Sequence, residues 1–320
     1  MRHVYRREIS IAAATAVLGV VLAIVSPGYF SVENITDLLL ANLPVLVVAL
    51  GMTLVILTGE IDISVGSTFA ICSVVAGLLA KAGWPIPLAA AAACLTGAAI
   101  GSVNGALVAY ARIPSIVVTL GVMTALREGL RWWTQGAWVQ DLPASFQWLG
   151  LTQGAYPAAS TTSTALMFAA CAWALGQTGA GRALYAVGSN AEAARLVGLH
   201  TRAIKLGVFA LLGALTGWAA VLNAVRFNQI PSNTGIGLEM KVIAAVVVGG
   251  TAITGGRGSA AGTLAGVVLL GAIGPALTFL GINAYWERAL QGAIILAAVA
   301  IDAVGRAGVR RITRPATSPV

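Results

Sequence analysis

Long uncharged stretches separated by short charged connections set the plan of this chain. Windows 9–25, 38–59, 63–80, 85–110, 161–180, 206–225, 258–280 and 286–304 are apolar. Each is close in length to the roughly 20 residues that a helix needs to cross a bilayer. Two further windows are less regular. Window 113–133 is uncharged only as far as Leu126 and then meets Arg127 and Glu128, and window 240–256 is short and glycine-rich at its end. Counting both, the pattern predicts an all-α, polytopic transmembrane helical bundle of about ten spans. Short or interrupted segments of this kind also arise as broken helices around a cavity.

One long segment breaks the apolar pattern. Residues 181–205 read GRALYAVGSNAEAARLVGLHTRAIK. Ser189 followed by Glu192 has the spacing of a capping box, in which each side chain satisfies a backbone N–H of the other. Gly198 stands where a left-handed C-terminal cap is wanted. The spacing predicts a short helix over 190–197, with Glu192 and Arg195 exposed and Ala191, Ala193 and Ala194 forming a low-relief surface. Such a helix suits docking into a groove of another protein; the alternative is a solvated loop with a helical turn.

Composition fixes the broad class. Hydrophobic residues make up 58% of the chain and charged residues 9%, with a mean hydropathy of +0.89, whereas a soluble domain carries about 25% charged residues. The net charge of +8 does not point to nucleic acid, because the basic residues are scattered through the connections. With ten spans and the N-terminus inside, the inner side receives thirteen of the 19 basic residues, Arg112, Arg182, Arg195, Arg202, Lys205 and Arg257 among them. The positive-inside rule then places both termini and the 181–205 segment in the cytoplasm. Trp132, Trp133, Trp138 and Trp148 fall in a long outer segment, where they suit the interface or an extracytoplasmic partner. The N-terminus lacks a cleavage site and reads as an uncleaved first span. Cys72, Cys94 and Cys171 lie in apolar windows without a pairing pattern and read as small buried hydrophobes.

Several chemistries find no motif here. There is no phosphate-binding GxxxxGK[ST], no GxGxxG after a strand, no HExxH and no GxSxG. His3 and His200 sit in loop-like contexts and do not form a metal cluster. The chain carries no nucleotide engine of its own, so uphill transport would draw on another subunit or on an ion gradient.

Four stretches together resemble the permease subunits of ribose-type sugar ABC importers. They are TGEIDISVGS at 58–67, ALVAYARIPSIVVTLGVMTALREGL at 106–130, GSNAEAARLVGL at 188–199 and AAVVVGGTAITGGRGSAAGTLAG at 244–266, followed by the span at 286–302. They appear in order over nearly the whole chain. The resemblance implies a single permease domain over 1–320 in the bacterial inner membrane, working as a dimer with a second copy or a paralogue. It implies cytoplasmic ATPase subunits that hydrolyse ATP and touch the 181–205 coupling loop, and a periplasmic binding protein that delivers the sugar. This chain itself would bind no cofactor and catalyse no reaction. Glu60 stands where the family often has a small residue, which points to a subgroup for a deoxysugar such as rhamnose or for autoinducer 2.

The individual sites carry more than one reading. Ser189, Asn190, Glu192, Ala193, Arg195 and Gly198 are the candidate ATPase-coupling residues; Arg257, in the GGRGS turn, is either a positive-inside anchor or a second contact. Glu60, Asp62, Asn104 and Thr119 are candidates for the translocation pathway. Asp62 or Ser64 could equally cap the helix that follows, where a negative charge meets a helix N-terminus favourably. Glu60 could reach a water-accessible break, since charged groups inside a membrane tend to face cavities. Asn104, between Gly101 and Gly105, suits packing glue between close helices as well as substrate contact. Thr119 and Thr124 could line a sugar path, or their hydroxyls could bond to the preceding turn. Adjacent Arg127 and Glu128 do not face each other on a helix and need separate partners. Two functions remain: the translocation subunit of an ATP-driven importer, and a stand-alone ion-coupled transporter with Glu60 and Asp62 as its coupling carboxylates.

Overall fold

The computed structural model describes residues 2–283, 285–294 and 296. Among these residues the protein is helical, and its only extended pairing is an isolated bridge between Val139 and Ile230. The helices run α1 (Arg2–Val25), α2 (Val32–Leu57), α3 (Val65–Lys81), α4 (Ile86–Ala109), α5 (Ser115–Thr134), α6 (Tyr156–Gln177), α7 (Gly179–Ser189), α8 (Ala191–Leu196), α9 (Thr201–Ala224), α10 (Leu238–Val248) and α11 (Ala260–Phe279). A further helical stretch follows over 286–294. Five of these, α2, α4, α6, α9 and α11, are long and apolar enough to cross a membrane by length and composition. The expected span over 286–304 and Arg306, Arg310, Arg311 and Arg314 lie wholly or partly outside the described residues.

The centre is α2. It is apolar on every face, which marks a helix surrounded by others, and almost every residue from Leu43 to Leu57 is buried. Helices α3, α4 and α9 close over one side. The α4–α9 seam is unusually close because glycines face each other across it. A Cβ at Gly97 would run into the carbonyl of Gly213 and one at Gly213 into that of Gly97; Gly101 sits against the Phe209 carbonyl and Gly217 against that of Ala93. Small residues four apart allow this approach, as the glycines flanking Asn104 suggest.

Three expected segments differ. The window 240–256 is not one span: α10 stops at Val248, because Gly249, Gly250 (φ +96°) and the glycines at 255 and 256 (φ +83° and +73°) turn the chain. Its 11 residues rise only roughly 16 Å, about half of a 30 Å hydrocarbon core. Most of the expected loop after 181 is helical as well. Thr178, with extended backbone, caps α7 by accepting from the Gly181 N–H at 3.1 Å. The capping box at Ser189 is also absent. Ser189 is the last residue of α7, and Asn190 is the cap of α8, its Oδ1 accepting from the N–H groups of Glu192 and Ala193 at 3.0 Å each. The reason is tertiary: Ser189 is packed against Gly256, which has no room for a Cβ there.

Candidate functional site

Two connections leave helical backbone inside the bundle, one leading into the start of α3 and the other running along α3 to that start. The first is 58–64. Thr58 ends α2, its hydroxyl donating to the Val55 carbonyl at 2.7 Å, and Gly59 takes the left-handed conformation (φ +80°) that turns the chain inward. The Ile61 N–H then reaches Ser115 Oγ on α5 at 3.3 Å. Asp62 Oδ1 accepts from the Ser64 N–H at 2.8 Å and from the Ser64 hydroxyl at 2.6 Å. Asn104 Nδ2 donates to Asp62 Oδ2 at 3.1 Å and to Ser64 Oγ at 2.8 Å. All three residues are buried. Asp62 thus holds the turn that starts α3, and Asn104 on α4 pins it from the side. Thr119 is buried too, with its hydroxyl on the Ser115 carbonyl at 2.8 Å, and Thr124 bonds to the preceding turn in the same way.

The second connection is 226–237. It leaves the end of α9, pairs with the long segment before α6 through Val139 and Ile230 (3.0 and 2.9 Å), and then descends along α3. Ile230 packs over Gly77, and Gly235 lies against Gly66. Between those two glycines α3 rises roughly 16 Å, so the chain runs from one end of α3 nearly to its start before α10 begins at Leu238. A Cβ at Gly66 would collide with both the Gly235 carbonyl and Glu239 Oε2. Glu239 is 7% exposed and lies in the first turn of α10, beside the first turn of α3. Negative charge is stabilised at the N-terminal end of a helix, and here two such ends converge on one carboxylate. Arg127 Nη2 approaches Glu239 Oε1 to 3.7 Å, while Glu128 pairs with Arg131 at 3.4 Å.

At the end where α2 stops, α7 is fastened to the last residue of α2 and to the glycine-rich turn at 255–258. The Gly256 N–H donates to the Leu57 carbonyl at 2.9 Å, and Tyr185 Oη donates to the Gly258 carbonyl at 2.9 Å. Gly188 is wedged between Leu57 and Gly256 with no room for a Cβ. Glu60 forms an ion pair and hydrogen bond with Lys205 in the first turns of α9. Beyond this joint, α8 stands out from the bundle. Glu192, Ala193, Arg195 and Gly198 are exposed, as are Ser189, Asn190 and Arg257, but Ala194 is buried and does not share the expected surface. Gly198 (φ +88°) closes α8 as a left-handed cap, its N–H on the Arg195 carbonyl and the Leu199 N–H on that of Ala194, both at 3.0 Å. That pairing is a Schellman motif.

A family model described as branched-chain amino acid transport system / permease component matches residues 34–299. The chain belongs to this permease family. Among curated relatives, an autoinducer 2 import system permease protein LsrC of Escherichia coli (strain K12 / DH10B) is 38% identical over 305 residues, covering 94% of this chain and 89% of that protein. The protein of that name from Escherichia coli O157:H7 is 39% identical over 293 residues, covering 90% and 86%. The one from Salmonella paratyphi B is 36% identical over 306 residues, covering 94% and 88%. No solved structure matches.

As a member of a permease family with several apolar helices, this is a multi-pass membrane protein with a transport role. Its structure brings Asp62 and Asn104 into one cluster and sets Glu60 apart against Lys205. Three features escape a reading of the sequence. Glu239 and Arg127 meet although they lie far apart in the chain; the nearest local signal is the Gly235–Gly237 pair just before Glu239. Leu196 and Val197, 80% and 78% exposed, give α8 an apolar edge beside its charges. Lys205 as the partner of Glu60 has no local signal at all.

Proposed function

We propose that this permease is the translocation subunit of an ATP-driven importer that carries a sugar-like molecule of the autoinducer 2 type into the cytoplasm. The observation that supports it most is similarity along 94% of the chain to autoinducer 2 import permeases, joined to a capped helix that stands out from the bundle. In this reading the α8 end faces the cytoplasm in the bacterial inner membrane. Cytoplasmic ATPase subunits dock on Ser189, Asn190, Glu192, Ala193, Arg195 and the neighbouring turn at Arg257, with Gly198 fixing the exit of the helix. A second permease copy or paralogue completes the pore, and a periplasmic binding protein loads it from the other end.

The contacts support a coupling route. A push on α8 reaches α7, and from α7 the ends of α2 and α11 through Gly188 and Tyr185. The Glu60–Lys205 pair carries the same displacement to the 58–64 connection, and from there to Asp62, Asn104 and the Thr119 face of α5 that would flank the pathway. This arrangement uses Glu60 as an ionic joint with Lys205. Reversing the charges of Glu192 and Arg195 together is expected to abolish autoinducer 2 uptake by the full system, while the protein stays in the membrane. Unchanged uptake and unchanged co-purification of the ATPase subunit would overturn the docking role. Uptake by this chain without an ATPase, collapsed by an uncoupler, would replace the importer with a carrier.

A further inference from the structure

Helix α5 places its charges unlike the other long helices. Helices α4, α6 and α11 contain no charged residue, and the charges of α2 and α9 stay within the first two turns. Helix α5 carries Arg127, Glu128 and Arg131 in its second half. Its buried residues, Ser115, Val118, Thr119 and Leu130, lie on one side. What fastens α5 to the bundle is made from that side or its edge. The Ile61 N–H donates to Ser115 Oγ, the Ser67 hydroxyl donates to the Met123 carbonyl at 2.8 Å, and half-buried Arg127 approaches Glu239.

The opposite side has another character. Val117, Thr124, Glu128 and Arg131 follow one another at spacings of seven, four and three residues, which puts them on one helical face, and all four are exposed. Glu128 and Arg131 pair with each other at 3.4 Å, with side chains 60% and 63% exposed. Exposed Trp132 and Trp133 come next, and tryptophans of this kind mark a membrane interface. Thr124 lies roughly 12 Å deeper along the helix. At comparable depth the exposed side chains of α4 and α6 are apolar, Leu95 and Leu166 among them, and they suit lipid. The α5 face does not, because charged groups within a membrane are costly and turn to protein or to water-filled cavities.

We propose that this outward face of α5 is a wall of the water-filled translocation pathway, with the Glu128–Arg131 pair as a charge filter at its outer mouth. The two opposite charges cancel at a distance, so the pair leaves the mouth without a preference for either sign. Removing one partner leaves the other to select. The buried side with Thr119 backs the wall, and a displacement of the 58–64 connection enters α5 at Ser115. The second permease subunit supplies the facing wall. The inference rests on the transport reading above and adds which surface meets the solute and which side chains sort it by charge.

The test uses the full importer with its ATPase subunit in membrane vesicles, carrying Thr124→Cys; the parent chain supplies the background of its three native cysteines. Leu166→Cys on α6, where the native side chain is 67% exposed, is the lipid-facing control. Each is treated with the anionic sulfonatoethyl and the cationic trimethylammonioethyl methanethiosulfonate. Thr124→Cys is expected to react at least about tenfold faster than Leu166→Cys, because a charge entering hydrocarbon costs several kcal/mol, and its modification is expected to block uptake. Adding Glu128→Gln is expected to shift the ratio of the two rates toward the anionic reagent. Adding Arg131→Gln should shift it toward the cationic one, each by at least about threefold, the size expected of one charge a helical turn away in screened water. Equal, slow reaction at Thr124→Cys and Leu166→Cys, with import by the parent complex intact, would overturn the wall and leave the transport reading standing. Fast reaction with a ratio that neither charge variant moves, or that both move the same way, would overturn the filter. A parent complex that imports nothing would remove the transport reading and the pathway with it.

Discussion

The α4–α9 seam and the α3–α10 junction both rest on glycine, and they use it for different ends. Along the seam, two continuous helices bring bare backbone against bare backbone at Gly97–Gly213, Gly101–Phe209 and Gly217–Ala93. Helix α4 has no charged residue, so what holds the seam is close packing and its dispersion. At the junction, Gly66 and Gly235 make room for a carboxylate and for a descending chain, and the neighbours are Glu239, Arg127 and two helix starts. Each helical glycine costs stability relative to alanine by about 1 kcal/mol, whereas Gly235 lies outside the helices in left-handed backbone (φ +79°). The seam recovers that in contact, whereas the junction recovers it in space for charge. An apolar seam and a charged junction are therefore built from one residue type, and the partner opposite each glycine decides which.

The strongest way to break the comparison is to remove the charge balance at the junction. Arg127→Met leaves the Glu239 carboxylate buried without its cation, and losing one partner of a buried pair costs about 3–5 kcal/mol. A clear fall in the thermal unfolding midpoint of the solubilised protein is the expected result, with most of it recovered in the double variant Arg127→Met/Glu239→Met. An unchanged midpoint in the single variant would mean that Arg127 does not balance Glu239.

The seam should respond to volume alone. Gly213→Ala forces a methyl against the Gly97 carbonyl and is expected to cost about 1–3 kcal/mol, the usual range for overpacking. Gly121→Ala in α5, where a Cβ meets nothing within 4 Å, should instead raise stability by up to about 1 kcal/mol through helix propensity. Equal effects in the two variants would erase the distinction between a seam glycine and a free one.

The smallest effect separates the two possible caps of α8. Asn190→Ala removes the acceptor of two N–H groups and should cost about 1 kcal/mol, seen as faster amide exchange of Glu192 and Ala193. Ser189→Ala should stay within about 0.5 kcal/mol and leave that exchange unchanged. The reverse order would restore the capping box that the sequence pattern suggests.

That pair of variants shows where local reasoning stops. The spacing Ser189–Glu192 and the cap at Gly198 signal a short helix, and a short helix is present. The identity of its first cap depends on Gly256 reaching Ser189 from across the bundle, so the pattern shifts by one residue. The apolar windows behave alike. Those over 85–110 and 206–225 lie close to α4 and α9, because hydropathy and helix propensity are summed over neighbouring residues. Window 240–256 fails at Val248, where Gly249 packs against Gly262 and Gly250 turns the chain in left-handed backbone (φ +96°). At the candidate site, Asp62 as a cap for α3 was one of two local readings, since its acceptor is two residues from its donor. Its third donor, Asn104, comes from another helix.

The sequence by itself determined the class of this protein: a membrane helix bundle of the permease family, with one charged, capped segment set between apolar windows. Hydropathy and capping are local sums, and 36–39% identity over most of the chain carries the family. Only the tertiary structure decided which charges meet. Glu60 finds Lys205 at a separation of 145 residues, and Glu239 finds Arg127 on α5 because the 226–237 connection descends along α3 before α10 begins. Those pairings depend on how far each connection reaches into the bundle, and no local periodicity records that distance.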